Sequence, residues 1–173
     1  MTKTETNTIL IHRPITEVFA FVADPENLPK WASRTYDITK TSEATLGVGT
    51  RFMGVGRFLG QRLESHQEVI EYEPSWKYAT RSNSGPLTFI LRYSFEPVEG
   101  NTRIVFTAEV EPGGFLKVAE AIFAKAIKRL YENDLRRLKD LLEAQPLSHG
   151  VDSAPGRVLA HAEVIKQPHS PAP

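Results

Sequence analysis

Hydrophobic and polar residues alternate along the middle of this chain and recur at helical spacing on either side of it. Between Arg34 and Val110, apolar residues occupy every second position in several runs, as they do in half-buried β-strands. Ile15–Ala23 and Phe115–Glu143 instead carry apolar residues three or four positions apart, which predicts amphipathic helices. Strands and helices therefore occupy separate parts of the sequence, which is typical of the α+β class.

Seven strands are predicted, one before the first helix and the others between the helices. Turns as short as Gly47-Val48-Gly49 and Glu99-Gly100-Asn101 separate several of them, so neighbouring strands are expected to pair in antiparallel order. The predicted strands are Asn7–His12, Arg34–Thr39, Arg51–Phe58, Gln61–Tyr72, Trp76–Ser82, Thr88–Phe95 and Ile104–Val110.

The last predicted helix is long enough to cross the whole sheet. Phe115–Glu143 would extend about 40 Å at about 1.5 Å per residue, and Pro112-Gly113-Gly114 ends the sheet before it. Gly54, Gly56 and Gly60 mark bulges or close backbone contacts, which a strongly curved sheet needs. We therefore predict a helix-grip fold, in which a curved seven-stranded antiparallel sheet wraps around one long C-terminal helix.

The stretch Asp24–Trp31 is the most distinctive local motif. Asp24 is a good cap for a short helix that begins at Pro25, because proline needs no hydrogen-bond partner in a first turn. Pro29 is expected to end that helix and to direct Trp31 toward the core. The motif predicts a hairpin of two short helices closed by a tryptophan.

With this motif, four further segments resemble the polyketide cyclase/dehydrase branch of the START-related (SRPBCC, pollen-allergen-like) ligand-binding proteins. They are Gly47–Arg51, Glu71–Pro74, Gly100–Arg103 and Leu135–Lys139, and the resemblance covers Asn7–Ala144. It implies the helix-grip fold with an internal cavity for lipid, polyketide-like or other aromatic ligands. The family contains both enzymes and binding proteins, so it leaves the choice between them open.

Composition indicates one soluble domain over residues 1–144, followed by a tail over residues 145–173. The chain has 173 residues, 40% apolar and 24% charged, with a formal net charge of zero and no cysteine. Zero net charge argues against a general nucleic-acid binder, and the lack of cysteine excludes disulfides and thiolate metal sites. No transmembrane segment or signal peptide is recognisable, so a cytoplasmic location is expected.

The tail is rich in proline and is predicted to be disordered. It carries His149, His161 and His169, whose spacing fits no metal-ligand geometry, so solvated side chains are expected rather than a metal site. A protein partner could bind this tail. No metal or cofactor is expected, since Gly-x-Ser-x-Gly, phosphate-binding glycine loops, dinucleotide-binding fingerprints and His-Glu-x-x-His are all missing from the sequence.

Asp134 breaks the apolar face of the long helix, between Leu130 and Leu138. A carboxylate there is costly unless it is paired or hydrogen-bonded. It either bonds a backbone N–H or a sheet arginine, or lies in the cavity as a polar anchor or acid/base with a pKa shifted by burial. Candidate partners are Arg34, Arg57, Arg81 and Arg92.

His66 is the other candidate acid/base, if its side chain points inward, and Tyr93 would add a hydroxyl to an apolar wall. A solvent-facing His66 and a purely packing Tyr93 are the alternatives, so no catalytic residue is assigned beyond the candidates Asp134, His66 and Tyr93. The predicted ligand-binding residues are Trp31, Tyr36, Phe52, Tyr78, Phe89, Leu91, Tyr93, Phe123, Ile127, Leu130 and Asp134.

Three functions follow as hypotheses. The leading one is binding of a small hydrophobic ligand between the sheet and the long helix. The second is cyclisation or dehydration of a polyketide-like substrate in the same cavity. The third is a co-chaperone-like or regulatory interaction module. Convergence of Asp134 and His66 would favour the enzyme, an apolar cavity the carrier, and a filled core the interaction module.

Overall fold

The computed structural model describes residues 3–43, 45–58, 61–82, 84, 87–112 and 120–144; at residues 3–5, 58, 61, 87, 111–112 and 120–127 it describes the backbone alone. The tail 145–173, Gly60 and the predicted helix start at Phe115 lie outside the described residues. The elements are β1 (Lys3–Ile11), α1 (Ile15–Ala23), a 3-10 turn (Pro25–Asn27), α2 (Leu28–Trp31), β2 (Thr35–Lys40), β3 (Arg51–Phe58), β4 (Gln61–Glu73), β5 (Lys77–Ser82), β6 (Leu87–Val98), β7 (Asn101–Pro112) and α3 (Glu120–Ala144).

The seven strands form one curved antiparallel sheet in the order β1-β7-β6-β5-β4-β3-β2. Consecutive strands from β2 to β7 are neighbours because short connections join them, and β1 pairs with β7 along its whole length. The register shifts between Thr35 and Asp37 and between Val69 and Glu71. Such irregularities bend a strand, and here they accompany the curvature of the sheet. The predicted helix-grip fold is confirmed.

The helical hairpin before β2 has the predicted cap and the predicted buried tryptophan, but the prediction for Pro29 was wrong. Asp24 caps the 3-10 turn, since its Oδ1 accepts a hydrogen bond from the Glu26 N–H at 3.0 Å. Pro29 does not end a helix but lies in the first turn of α2, where a missing N–H costs nothing. Trp31 at the end of α2 is buried, as predicted.

The core lies between the inner face of the sheet, α1 and α3. Phe19 of α1 meets Tyr72 and Phe95 edge to face, with ring centroids 5.4 and 5.2 Å apart. The described residues of α3 bury Leu135, Leu138 and Leu142 against this core, together with Asp134. Among the described residues, no helix combines the length and the apolar composition needed to cross a membrane.

Arg13, just after β1, holds the end of α3. Its guanidinium donates to the carbonyl oxygens of Leu142 and Glu143, at 2.9 and 3.1 Å. The residue is only 6% exposed, so it forms these bonds from a buried position. The last carbonyls of a helix have no partner within the helix, so Arg13 supplies what α3 cannot. Thr102 of β7 fixes Arg13 in turn by donating to its carbonyl oxygen at 2.7 Å.

Two side chains of α3 bind the backbone around the end of β1. Lys139 Nζ donates to the Leu10 carbonyl at 2.6 Å, and Glu143 Oε1 accepts from the His12 N–H at 2.8 Å. β1 is an edge strand, so these contacts satisfy groups that have no neighbouring strand. We call His12, Arg13, Lys139 and Glu143 the C-terminal clamp of α3.

Candidate functional site

A cavity of about 170 Å³ lies between the inner face of the sheet, α2 and the middle of α3. Its walls come from elements far apart in sequence, which the curved sheet brings around α3. The described lining residues include Leu28, Trp31, Ala32, Arg34, Gly54, Val55, Leu63, Gln67, Phe89, Leu91, Tyr93, Phe106, Val110, Leu130, Tyr131, Asp134 and Leu135.

Aromatic side chains form a connected series through this wall. Tyr93 of β6 lies at its centre, with ring centroids 6.4 Å from Trp31, 6.0 Å from Tyr78 and 4.8 Å from Phe106. Phe106 contacts Tyr131 of α3, also at 4.8 Å. The series holds the sheet, α2 and α3 in fixed relation and presents rigid ring surfaces to the cavity.

A smaller void of about 20 Å³ lies beyond Leu91 and Tyr93. Phe52 and Tyr78 line it, together with Val22 of α1. Because Leu91 and Tyr93 also line the main cavity, they separate the two spaces.

Trp31, Ser33, Arg34, Tyr131 and Asp134 form what we call the polar corner. Asp134 is 4% exposed, and its Oδ1 accepts the Ser33 N–H at 3.0 Å. Burial raises the pKa of Asp134, while hydrogen bonds from Ser33 and the nearby Arg34 and Arg137 charges act to lower it. Asp134 therefore has a backbone N–H partner and also lies in the cavity wall.

The other ionisable groups of the polar corner are shifted by the same burial. Burial lowers the pKa of Arg34, opposed by Tyr131 and Asp134 nearby. Burial raises the pKa of Tyr131 to about 12, against the effect of Arg34, and raises that of Tyr93 well above its ordinary value. Both tyrosines therefore keep their hydroxyl protons at neutral pH and can donate hydrogen bonds.

Gly56 of β3 allows the backbone of Arg34 to approach. The Arg57 N–H donates to the Arg34 carbonyl at 3.0 Å, and a Cβ on Gly56 would lie 2.4 Å from that oxygen. The sequence predicted close backbone contact at such a glycine, and the structure shows it here. The bulge falls on the opposite strand, between Thr35 and Asp37.

Most of the predicted ligand-binding residues lie around these spaces. Trp31, Phe89, Leu91, Tyr93, Leu130 and Asp134 line the cavity, and Phe52 and Tyr78 line the smaller void. The side chains of Phe123 and Ile127 lie outside the described part of the structure.

Tyr36 does not lie in the cavity wall. Its side chain is 54% exposed, and the Arg57 guanidinium lies 5.7 Å from its ring centroid. The bulge between Thr35 and Asp37 interrupts the alternation of β2 at this residue, so Thr35 lines the cavity and Tyr36 points away from it.

His66 does not meet Asp134. Its side chain is exposed, whereas Ser65 and Gln67 on either side of it line the cavity. Side chains alternate along a strand, so the inward position of Gln67 requires His66 to point outward. Its backbone N–H donates to Ser84 Oγ at 3.1 Å.

The four candidate arginines are dispersed. Arg34 and Arg57 line the cavity, while Arg81 is exposed. Arg92 forms ion pairs with Glu71 and Glu109, at 3.4 Å to Glu71. Of the four, only Arg34 combines burial with an electrostatic effect on Asp134.

Sequence reasoning missed Tyr131, Ser65 and Gln67. Tyr131 lies three residues before Asp134 and four before Leu135, so helical spacing already places it on their face. Gln67 Nε2 donates to Ser65 Oγ at 3.1 Å, which adds a polar patch to the β4 wall. The polar sequence of β4 on both of its faces carried no signal for this orientation.

The family model described as "Polyketide cyclase / dehydrase and lipid transport" matches residues 2–143. Uncharacterized proteins of Mycobacterium tuberculosis and Mycobacterium bovis are 25% identical over 135 residues, which cover 75% of this chain and 78% of theirs. These relatives are uncharacterized and therefore indicate no activity for this chain.

Similar solved structures share the fold. A protein of Thermus thermophilus has a TM-score of 0.71 at 19% identity, covering 83% of this chain and 100% of that one. The ZhuI aromatase/cyclase of Streptomyces sp. R1128 has a TM-score of 0.70 at 14% identity, covering 83% and 94%. A START superfamily protein of Mycobacterium smegmatis has a TM-score of 0.61 at 17% identity, covering 81% and 94%. With this helix-grip fold and the family match over residues 2–143, the chain belongs to the polyketide cyclase/dehydrase and lipid transport family.

Proposed function

We propose that this protein binds a small hydrophobic ligand with an aromatic portion in the cavity between the sheet and α3. The observation that carries the proposal is a space of about 170 Å³ beside the hydrophobic core, walled largely by aromatic and aliphatic side chains. An engineered apolar cavity of about 150 Å³ binds benzene. The described cavity is therefore large enough for one substituted ring of a lipid, polyketide-like or other aromatic ligand.

The chemistry of the walls suits such a ligand. Leu91, Leu130 and Phe106 would remove apolar ligand surface from water, and the rings of Tyr93 and Trp31 favour edge or offset contacts with another ring. The few polar groups at the polar corner would orient the ligand, as in small-molecule sites generally.

A matched pair of substitutions on β6 tests this proposal. Leu91→Phe adds volume inside the cavity, whereas Ile90→Phe adds a similar volume on the opposite face of the same strand. We expect native mass spectra of the wild type and of Ile90→Phe to show a retained hydrophobic compound that disappears after organic extraction. Leu91→Phe should retain much less of it.

The proposal would be wrong if the wild type retained no compound and also failed to bind single-ring aromatic compounds added at millimolar concentration. Equal retention by Leu91→Phe would instead place the compound outside the cavity. Circular dichroism and thermal unfolding of the two variants would show whether a loss of binding comes from a loss of fold.

A second candidate function is cyclisation or dehydration of a polyketide-like substrate in the same space. Asp134 favours it, because a buried carboxyl group with a raised pKa can act as an acid or base toward a carbonyl or hydroxyl group. Family membership supports either ligand binding or cyclase activity. The separation of His66 from Asp134 removes the pairing that would have favoured the enzyme.

Turnover of a poly-β-keto thioester by the purified protein, followed by mass spectrometry, tests this second function. Loss of water with formation of a ring, abolished by Asp134→Asn in a folded protein, would support it. The cavity argues against the interaction module, which was expected to have a filled core. A protein partner for the tail and a cytoplasmic location stay predictions.

A further inference from the structure

The indole N–H of Trp31 is a buried donor in the cavity wall. Trp31 is 4% exposed, and among the described residues its Nε1 has no hydrogen-bond partner. A buried donor without an acceptor loses its bonds to water and gains none in return. Phenylalanine could supply the aromatic ring that packing in an apolar wall requires. Packing alone therefore does not account for the Trp31 N–H, which is a polar group without a bond beside the cavity.

The surroundings of Trp31 decide which acceptor suits this donor. Two residues further along the chain, the Ser33 N–H is bound to Asp134, so Trp31 belongs to the same corner as that carboxyl group. Arg34 already interacts with Asp134 through its charge. The Asp134 carboxylate would repel an anionic ligand in this water-poor space. A neutral oxygen carries no charge and would not be repelled in this way.

The hydroxyl groups of Tyr93 and Tyr131 add two neutral donors to the wall, beside the charged groups of Arg34 and Arg57. Burial keeps the hydroxyl groups of Tyr93 and Tyr131 protonated, since it raises both pKa values. Phe106 and Leu91 complete the wall with apolar surface.

We infer that the cavity selects ligands in which a ring carries a neutral hydrogen-bond acceptor, an aryl ketone or a phenol ether rather than a carboxylate, and that Trp31 Nε1 donates to that oxygen. This inference rests on the proposed binding function and specifies its ligand chemistry. Trp31 is then a specificity-determining residue of the cavity.

Three compounds of similar shape separate the alternatives. Acetophenone carries the neutral acceptor, ethylbenzene replaces it with an apolar group, and benzoate replaces it with an anion. The chain has two tryptophans, so the nitrogen-15 spectrum of the labelled protein should contain two indole N–H signals. Trp76, which is 55% exposed, is the internal control, and Trp31→Phe and Trp76→Phe assign the signals.

We expect acetophenone to move the Trp31 indole signal further downfield than ethylbenzene does, while the Trp76 signal stays in place. The ratio of acetophenone affinity to ethylbenzene affinity should fall about fivefold in Trp31→Phe, which corresponds to about 1 kcal/mol for one hydrogen bond. Trp76→Phe should leave the ratio unchanged. Benzoate should bind more weakly than acetophenone.

An unchanged ratio in Trp31→Phe, or the same indole shift with acetophenone and ethylbenzene, would overturn the inference while leaving the binding function intact. That result would mean that a water molecule or nothing bonds the indole. Tighter binding of benzoate would overturn the preference for a neutral acceptor. If none of the three compounds bound, the proposed function itself would fail for ligands of this size. Should Trp31→Phe not fold, the wild-type indole shifts still decide between these outcomes.

Discussion

The C-terminal end and the middle of α3 differ in how their polar groups are bonded. At its end, the C-terminal clamp joins Arg13, Lys139 and Glu143 to backbone groups of α3, of β1 and of His12, with bonds of 2.6 to 3.1 Å. Around Asp134, the same helix borders a cavity in which a tryptophan N–H has no acceptor among the described residues. The C-terminal end fixes the helix on the sheet, and the middle borders a cavity whose donors are available to a ligand.

The two carboxylates Asp134 and Glu143 show the same difference. Burial raises the pKa of Asp134 more than its hydrogen bonds lower it. For Glu143, burial also acts to raise the pKa, but bonds from His12 and Lys139 outweigh it and hold the pKa below its ordinary value. The bonds to Glu143 stabilise its charged form and hold the helix end. Asp134 has fewer donors than its burial requires, so its carboxyl group can interact with a ligand.

The largest effect is expected from breaking the clamp at Arg13. Arg13→Ala leaves the carbonyls of Leu142 and Glu143 without their donor at a buried position, and we expect the free energy of unfolding to fall by about 3 kcal/mol. Arg13→Lys keeps the charge but loses the two-pronged geometry, so it should recover only part of that loss. Urea unfolding measures both.

Ligand affinity distinguishes the clamp from the cavity in the Arg13 experiment. Without urea, where the variant is folded, Arg13→Ala should bind acetophenone with the same affinity as the wild type, because Arg13 does not line the cavity. A large loss of affinity would show that the clamp also shapes the cavity.

A smaller loss is expected at the cavity itself, from Gly56→Ala. The added methyl group would lie 2.4 Å from the Arg34 carbonyl oxygen, so the backbone must move, at a cost of about 2 kcal/mol. Gly54→Ala is the matched control, because its new methyl group would meet the ends of the Gln67 and Ser65 side chains at 3.0 and 3.3 Å, which can shift. Thermal unfolding should rank Gly56→Ala below Gly54→Ala, and the reverse order would contradict the close approach at Arg34.

The smallest effect is a difference in pH dependence between Asp134→Asn and Glu143→Gln. Asp134 has a folded-state pKa above its ordinary 3.8, so its contribution to stability is complete below that pH and is lost as pH rises through the folded pKa. Relative to the wild type, Asp134→Asn should therefore gain stability between pH 4 and pH 7, a range of about three units.

Glu143 has the opposite sign. Its pKa is lowered from 4.5, so its contribution is present above that pH and is lost as pH falls through the folded pKa. Relative to the wild type, Glu143→Gln should lose stability as pH rises. Urea unfolding from about pH 2 to about pH 7 covers both slopes. The exposed Asp140→Asn is the reference, and slopes of the same sign would contradict the contrast between the middle and the C-terminal end of α3.

Local patterns in the sequence were sufficient for the fold. The alternation Phe89-Leu91-Tyr93-Phe95 places these four side chains inward on β6, and the helical spacing around Leu138 places that residue in the core. Asp134 stood out because a single carboxylate interrupted the apolar face. These predictions were correct because burial of one face of a strand or helix gives its apolar residues a characteristic spacing in the sequence.

Other features depend on contacts between distant residues. Tyr36 points outward because of a bulge that the sequence of β2 does not reveal, and His66 points outward because β4 is polar on both faces. Nothing near Arg13 in sequence indicates that it binds carbonyls 129 and 130 residues away.

The sequence by itself therefore determined the order of strands and helices, the family and the misplaced carboxylate on α3, since each follows from the pattern of neighbouring residues. The tertiary structure decided which side chains surround the cavity, that the Trp31 N–H has no partner among the described residues, and how α3 is held. Those outcomes depend on register, strand curvature and the closing of long-range hydrogen bonds, and these are set only when the sheet and the helix pack together.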